Sequence, residues 1–311
     1  MKSFCCLLCG GGEYELIKDR TRDSSHKVVK CLECGMTQLY PLPSVEEDEE
    51  YYNMNSHDKK ITPSYTIEEL YEKFKFHNQT KINYLEKYGI NKKWKMLDFG
   101  CGYGFFIQMM REKGYDFDGI EISKDRLSIC QKRLGAHFKN IRNINLLIED
   151  VSDDLIEKYN LITMFHLLEH ILKPHELLNK IAMMLKPDGL LVIEVPNIDN
   201  LMMLASKEFN DFFYIRDHVA YYRPDLLKKV VEECGFEILL QKGNQIYGLT
   251  NHMNWIINRR PELKNPSYES CEAMKWIEDV YKMRLNENLK SEYMYVIAKK
   301  SKDFKFKNRS K

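Results

Sequence analysis

Between Met96 and Phe106 the chain reads MLDFGCGYGFF, a short apolar run that passes directly into three glycines at spacing two. An apolar strand ending at Asp98 and Phe99 must turn sharply at Gly100, Gly102 and Gly104 to enter a helix that begins near Phe105. Glycine serves such a turn in two ways: it accepts φ > 0, and its missing Cβ lets a ligand approach the backbone. Seventeen residues beyond Gly104, in GIEIS, Glu121 ends a second apolar strand, where an acid is positioned to hydrogen-bond ribose hydroxyls. The spacing G-x-G-x-G is not the dinucleotide fingerprint G-x-G-x-x-G, and Asp98 at the loop entrance would repel a pyrophosphate. These residues therefore favour a nucleoside cofactor other than NAD.

LDFGCGYG resembles the first motif of the class I S-adenosylmethionine-dependent methyltransferases, and GIEIS resembles their second. YNLITMFHLLEHILKP, residues 159–174, resembles their fourth-strand segment followed by a Leu-Glu-His helix start. A glycine-rich turn alone occurs in many α/β proteins, whereas three matches in order are specific. The resemblance implies that Asp98 with Gly100, Gly102 and Gly104 holds the amino-acid end of S-adenosylmethionine, that Glu121 holds the ribose, and that Asp150 holds the adenine amine. Glu149 competes with Asp150 for that last role, because periodicity does not separate adjacent acids at a strand end. Phe165 and His166 would border the methyl group.

Transfer of a methyl group from a sulfonium is an in-line displacement, helped by proximity and exclusion of water, and a hydroxyl nucleophile also needs a base. Neutral imidazole suits that task near pH 7. His166, His170 and His218 are the candidates. His170 reads as a hydrogen-bonded helix residue. His218, in RDHVAYYRP after the fifth strand, is the expected base on the acceptor side, with His166 as the second choice. Tyr221 and Tyr222 either line the same pocket or belong to the core.

From residue 93 to 300 strands and helices alternate, as in a Rossmann-like doubly wound α/β sheet. Strands are expected near 95–99, 117–122, 144–148, 161–165 and 190–195, and helices near 104–113, 124–134 and 174–185. Pro187-Asp-Gly189 reads as the turn before the fifth strand, and Arg223 to Cys234 as a helix closed by Gly235. FEILLQK and EYMYVIAKK supply the last two strands, with a helical, aromatic insertion over 243–291 between them. Ligands bind at the carboxyl ends of such strands, which places Asp98, Glu121, Glu149 or Asp150, His166 and Glu194 on one edge. Ahead of this domain, residues 44–92 form a helical linker and lid. Ser44-Val-Glu-Glu47 has capping-box spacing, and apolar residues recur at helical period from Ile67 to Tyr88.

Residues 1–43 carry two C-x2-C pairs, Cys6 with Cys9 and Cys31 with Cys34. Each pair lets two thiolates from one turn converge on a tetrahedral ion, so the four together predict a structural Zn²⁺ site of a ribbon whose hairpin is EYELIKDR and SSHKVVK. Cys5 is a neighbour that could replace Cys6 only with C-x3-C spacing. A closed four-thiolate site supports folding and leaves no coordination position for chemistry. A ribbon followed by this cofactor domain resembles a branch of bacterial methyltransferases linked to sugar and surface-glycan biosynthesis. That resemblance implies a hydroxyl of a sugar, nucleotide-sugar or related polysaccharide precursor as the acceptor.

Over 311 residues the formal net charge is +1, so overall electrostatics nominate no polyanionic partner. The segment from Lys299 holds seven basic residues against one acid, a feature an RNA methyltransferase would use. The stretch after the fourth strand nevertheless lacks an Asn/Asp-Pro-Pro-Tyr box, and the basic tail, 301–311, reads as a solvated end. Nucleic acid is accordingly not the expected partner. A non-catalytic binding protein is the other rival, and no motif is damaged in the way that reading requires. No apolar run reaches the length of a membrane span and no secretory leader is evident, so the expected location is the cytoplasm.

Overall fold

In the computed structural model, residues 3–44, 47, 51, 65–146, 149–260 and 272–302 are described. The central strand is β4 (Lys95–Phe99), an apolar run buried from Met96 onward. It pairs in parallel with β5 (Asp116–Ile120) on one side and β7 (Tyr159–Phe165) on the other. The seven-stranded sheet has the order β10-β11-β8-β7-β4-β5-β6, with β6 at Ile141–Arg142, β8 at Leu185–Pro196, β10 at Phe236–Asn244 and β11 at Tyr293–Lys300. Only β11 runs against its neighbours β8 and β10. This is the Rossmann-like α/β architecture, with both faces of the sheet buried as parallel strands require.

Nine α-helices pack on and around this sheet among the described residues: α1 (Ile67–Tyr88), α2 (Phe105–Glu112), α3 (Lys124–Leu134), α4 (Pro174–Met184), α5 (Leu201–Ala205), α6 (Lys207–Phe213), α7 (Pro224–Glu233), α8 (Leu249–Asn258) and α9 (Lys275–Glu287). α1 begins where Thr66 and Glu69 form a reciprocal capping box and ends at Gly89 in a left-handed conformation, φ 97°. Its buried side chains Leu70, Asn78, Lys81, Ile82 and Leu85 form one stripe toward the sheet. Ile82 and Leu85 join Ile107, Met110 and Phe117 in the core on that face, each such side chain contributing roughly 1.5–3 kcal/mol by leaving water. The Ser44–Glu47 cap is present, with Glu47 N–H donating to Ser44 Oγ at 3.1 Å and Ser44 N–H to Glu47 Oε2 at 2.7 Å.

Two expectations about strands are corrected. The third strand, expected near 144–148, is the two-residue β6 at Ile141–Arg142, and residues 147 and 148 lie outside the described set. Helix α4 stops at Met184 and β8 begins at Leu185, so Pro187-Asp-Gly189 lies within the strand rather than before it. The register with β7 shifts there, from Tyr159↔Leu185 to Leu161↔Leu190, and Asp188 takes φ 62°.

The N-terminal hairpin pairs β1 (Tyr14–Lys18) with β2 (Lys27–Cys31) and β2 with β3 (Thr37–Tyr40). Its sheet is completed by β9 (Ala220–Tyr221), which lies between β8 and β10 in the methyltransferase region and pairs with Thr37 and Gln38. Phe4, Cys6, Val28 and Val29 share one buried cluster with Leu97 and Ile162 of the central sheet. The ribbon is therefore stitched to the larger domain rather than strung on a linker. Over 243–291, α8 and α9 are tied to β11 by His252, whose Nε2 lies 3.1 Å from Glu292 and Nδ1 2.6 Å from Tyr281 Oη. Residues 261–271 of that segment and 303–311 of the basic tail lie outside the described set. Among the described residues, no helix is long and apolar enough to cross a membrane.

Candidate active site

At the carboxyl ends of β4 and β7 a cavity of about 240 Å³ opens between α1 and the sheet edge. Its lining includes Asp98, Gly100, Gly102, Phe165 and His166 from the sheet edge, and Leu70, Phe74, Asn78 and Lys81 from α1. Parallel pairing explains the convergence: the register that sets Asp98 beside Thr163 and Phe165 beside Glu194 brings three strand ends level.

Gly100, Gly102 and Gly104 all have φ > 0, at 80°, 55° and 76°. Their reasons differ. A Cβ on Gly100 would meet Leu167 at 2.9 Å and one on Gly104 would meet Cys130 Sγ at 2.7 Å, so those two are glycines for packing. A Cβ on Gly102 would meet nothing within 4 Å: it faces open space, the cradle that a bound cofactor would fill. Glu121, 4% exposed, accepts the Gly102 N–H at 2.9 Å and the Ser123 N–H at 2.8 Å, which fixes the loop and the acid against each other. Asp98 accepts the Thr163 hydroxyl at 2.7 Å. Burial pushes its carboxyl up to about 6, against the opposing pull of that hydrogen bond and of the Lys81 ammonium.

His166 follows β7 with φ 51°, an uncommon conformation for a residue other than glycine. Its N–H donates to the Glu194 carbonyl, and its ring Nε2 lies 2.9 Å from Glu194 Oε1. The other Glu194 oxygen accepts from Tyr84 Oη at 3.2 Å and Asn244 Nδ2 at 3.0 Å. Burial alone would raise the Glu194 carboxyl, but the bond to His166 and the Lys81 charge outweigh it and hold it down to about 2. His166 is shifted upward, since Glu169 and Glu194 overcome the effect of burial.

A glycine cradle with an acid at each of two adjacent strand ends, beneath an amphipathic helix, is the arrangement of a nucleoside cofactor site. A methyltransferase-domain family model matches residues 69–241, more than half of the chain. The chain belongs to the class I S-adenosylmethionine-dependent methyltransferases. A ubiquinone biosynthesis O-methyltransferase from Glaesserella parasuis serovar 5 is 32% identical over 109 residues, 33% of this chain and 45% of that protein. A protein of the same description from Neisseria meningitidis serogroup C is 23% identical over 202 residues, 59% of this chain and 84% of that one. Among solved structures, an S-adenosylmethionine-dependent methyltransferase from Archaeoglobus fulgidus covers 79% of this chain and 99% of its own at 20% identity, with a TM-score of 0.50. A chain from the complex between the Haloferax volcanii Trm112 methyltransferase activator and a methyltransferase covers 82% of this chain and 98% of its own at 13% identity, with a TM-score of 0.53. These two show the shared fold.

Within this methyltransferase, Asp98, Gly100, Gly102, Phe165 and His166 line one cavity, while Gly104 caps α2 and Glu121, outside that lining, is bonded to it through the Gly102 N–H. Asp150 lies elsewhere: it is fully exposed, with one carboxylate oxygen 4.0 Å from Lys180 Nζ. Glu149, its competitor, is also exposed and accepts the Asn145 N–H at 3.0 Å. His218 is a second departure from the expectation, since it is not among the lining residues. It packs at 5.0 Å ring to ring against His170, and burial pushes its imidazole down to about 3. Tyr221 and Tyr222 are buried, Tyr221 with its hydroxyl donated to the Ile215 carbonyl at 2.8 Å.

Lys81 and Tyr84 were not singled out by sequence reasoning. Lys81 Nζ sits 4.7 Å from the Phe165 ring centroid, and Tyr84 stacks on Tyr295 at 4.3 Å. A lysine inside the apolar stripe of α1, one residue before Ile82, was the available signal.

The four cysteines Cys6, Cys9, Cys31 and Cys34 converge, all four sulfurs lying within 4.8 Å of one another. Cys6 Sγ is 3.5 Å from Cys34 Sγ, and Cys9 Sγ is 3.6 Å from Cys31 Sγ.

Proposed function

We propose that this methyltransferase transfers a methyl group from S-adenosylmethionine to a hydroxyl of a small acceptor, with His166 as the general base. Bound S-adenosylmethionine supplies an electrophilic methyl on a sulfonium, and transfer leaves S-adenosylhomocysteine. In this reading Asp98 pairs with the cofactor's ammonium, Glu121 faces its ribose, and the open side of Gly102 takes its backbone-hugging edge. The observation that carries the assignment of the base is the 2.9 Å contact of His166 Nε2 with Glu194. With Nε2–H donated to Glu194, Nδ1 carries the lone pair that removes the acceptor's proton as its oxygen attacks the methyl carbon. The imidazolium that forms is then held by the Glu194 carboxylate, in the way a carboxylate supports a base histidine elsewhere.

Two relatives described as O-methyltransferases support an oxygen nucleophile. A sugar-linked acceptor rests on the four-cysteine ribbon ahead of the cofactor domain. The cluster of sulfurs also supports a structural Zn²⁺ held by Cys6, Cys9, Cys31 and Cys34. A tetrahedral ion with Zn–S near 2.3 Å needs sulfurs about 3.8 Å apart, and the observed 3.5 and 3.6 Å pairs require little movement. Its role is to close the ribbon, not to take part in transfer.

The test is to incubate the protein with S-adenosylmethionine carrying a labelled methyl group and with hydroxyl-bearing acceptors of two kinds, ubiquinone precursors and nucleotide-sugars. Label should enter an ether linkage in one series and depend on His166. Label appearing only on nitrogen or on RNA would refute the reading.

A further inference from the structure

Next to His166, but outside the cavity lining, a second polar cluster is buried in the turn that follows β7. Glu169 is 1% exposed, yet neither of its carboxylate oxygens has a hydrogen-bond partner. The nearest ring nitrogens, His166 Nδ1 and His170 Nε2, lie 3.7 and 3.9 Å from Oε1, beyond hydrogen-bond reach. A buried carboxylate without partners is costly, whether ionised or protonated, and calls for an occupant that the protein atoms do not provide.

The surroundings define that occupant. His170 Nδ1 is 2.7 Å from the Asp217 carbonyl, so it donates there, and its Nε2 faces Glu169 Oε1 at 3.9 Å. Ligating histidines are held in this way, with the distal N–H given to a carbonyl. His218 contributes a buried Nδ1 that also has no partner, as does the Tyr222 hydroxyl. One atom each from Glu169, His170 and His218 lie within 4.8 Å of one another. We propose that Glu169, His170 and His218 bind a divalent transition-metal ion of the zinc class, at a site distinct from the four cysteines.

Two imidazoles and one carboxylate form the donor set of open zinc sites, in which a fourth position is left to water or substrate. Imidazole also disfavours Mg²⁺ and Ca²⁺, which prefer all-oxygen shells. Ligand atoms around zinc stand about 3.3–3.5 Å apart when bonds are near 2.0–2.1 Å, so the 3.9 Å separation of Glu169 and His170 closes by rotation of side chains. The ion would neutralise Glu169 and satisfy the free nitrogen of His218 together. The inference does not depend on which acceptor is methylated, because its readout is metal content.

The experiment loads the full chain with Co²⁺ and follows absorption and metal content. The first equivalent should give intense thiolate-to-cobalt charge transfer from the four cysteines. A second equivalent should bind without further thiolate absorption, and it should be absent in Glu169→Gln and His218→Gln while the first is retained. A wild-type protein that takes up no equivalent free of thiolate absorption overturns the proposal, as does such an equivalent kept by both variants. Either variant suffices if the other fails to fold, and the wild-type stoichiometry decides if neither folds.

Discussion

His166 Nε2 and Glu194 Oε1 meet at 2.9 Å across the carboxyl ends of two neighbouring parallel strands. Parallel pairing of Phe165 with Glu194 carries both residues to the same edge, and the bond from the His166 N–H to the Glu194 carbonyl fixes the step between them. The pair therefore follows from strand register, not from a flexible loop. Loss of a general base costs on the order of 10²–10⁴ in rate. His166→Ala should lower kcat by that amount while cofactor affinity stays near wild type, and Glu194→Gln should lower it by a smaller factor. Steady-state kinetics alongside calorimetry separate the two effects, and unchanged turnover in His166→Ala would remove it as the base.

The Asp98 carboxyl predicts a pH limb in cofactor binding. Burial lifts it to about 6 in the free protein, so it is ionised above that pH and neutral below. Only the ionised form pairs with an ammonium. Affinity for S-adenosylmethionine should accordingly be highest above pH about 6 and fall as pH drops through it, approaching tenfold per unit. Lys81 favours the ionised form, so Lys81→Met should move the limb to higher pH. Calorimetry between pH 5 and 8 measures both, and an affinity flat across that range would argue against Asp98 as the ammonium's partner.

Cys31 sits at the end of β2, 1% exposed, in the core cluster that the ribbon shares with the central sheet. If Zn²⁺ closes the ribbon, Cys31→Ser should abolish stoichiometric zinc at that site and lower the melting temperature, and a strong chelator should do the same to the wild type. Because β3 pairs with β9, disruption should also be felt beyond the ribbon. Hydrogen exchange at Ala220 and Tyr221 would report it, and Cys31→Ser with full zinc content and wild-type melting would dismiss the site.

Local signals were readable where chain geometry leaves few choices. The Gly100 and Gly104 positions need φ > 0 and tolerate no side chain, so a pattern of glycines after an apolar run could be read as a turn without any knowledge of the fold. The long apolar period of α1 was equally plain. What failed was legible only in three dimensions. β6 is two residues long, too short to show periodicity, and β9, within the buried run Val219–Tyr222, pairs with a partner some 180 residues earlier, which no local pattern reports. His218 and His166 look alike as imidazoles in polar surroundings, and only the packing of the turn after β7 separates the one lining the cavity from the one behind it. The family resemblance gives Asp150 the adenine, and a resemblance does not report that the side chain faces solvent.

The open face of Gly102 matters most, since a cofactor seated elsewhere would leave the roles of Asp98, Glu121 and His166 without support. A Cβ there would meet no protein atom within 4 Å, although φ 55° strains any side chain, so a valine would project into the space reserved for the ligand. Calorimetric titration of S-adenosylmethionine and S-adenosylhomocysteine into wild type and Gly102→Val, with circular dichroism to establish that both are folded, is the direct measurement. The account predicts binding of both ligands by the wild type, none of NAD, and a loss of about 100-fold or more in the variant, the roughly 2.7 kcal/mol that blocking one contact surface can remove. Equal affinity in the two folded proteins would contradict it.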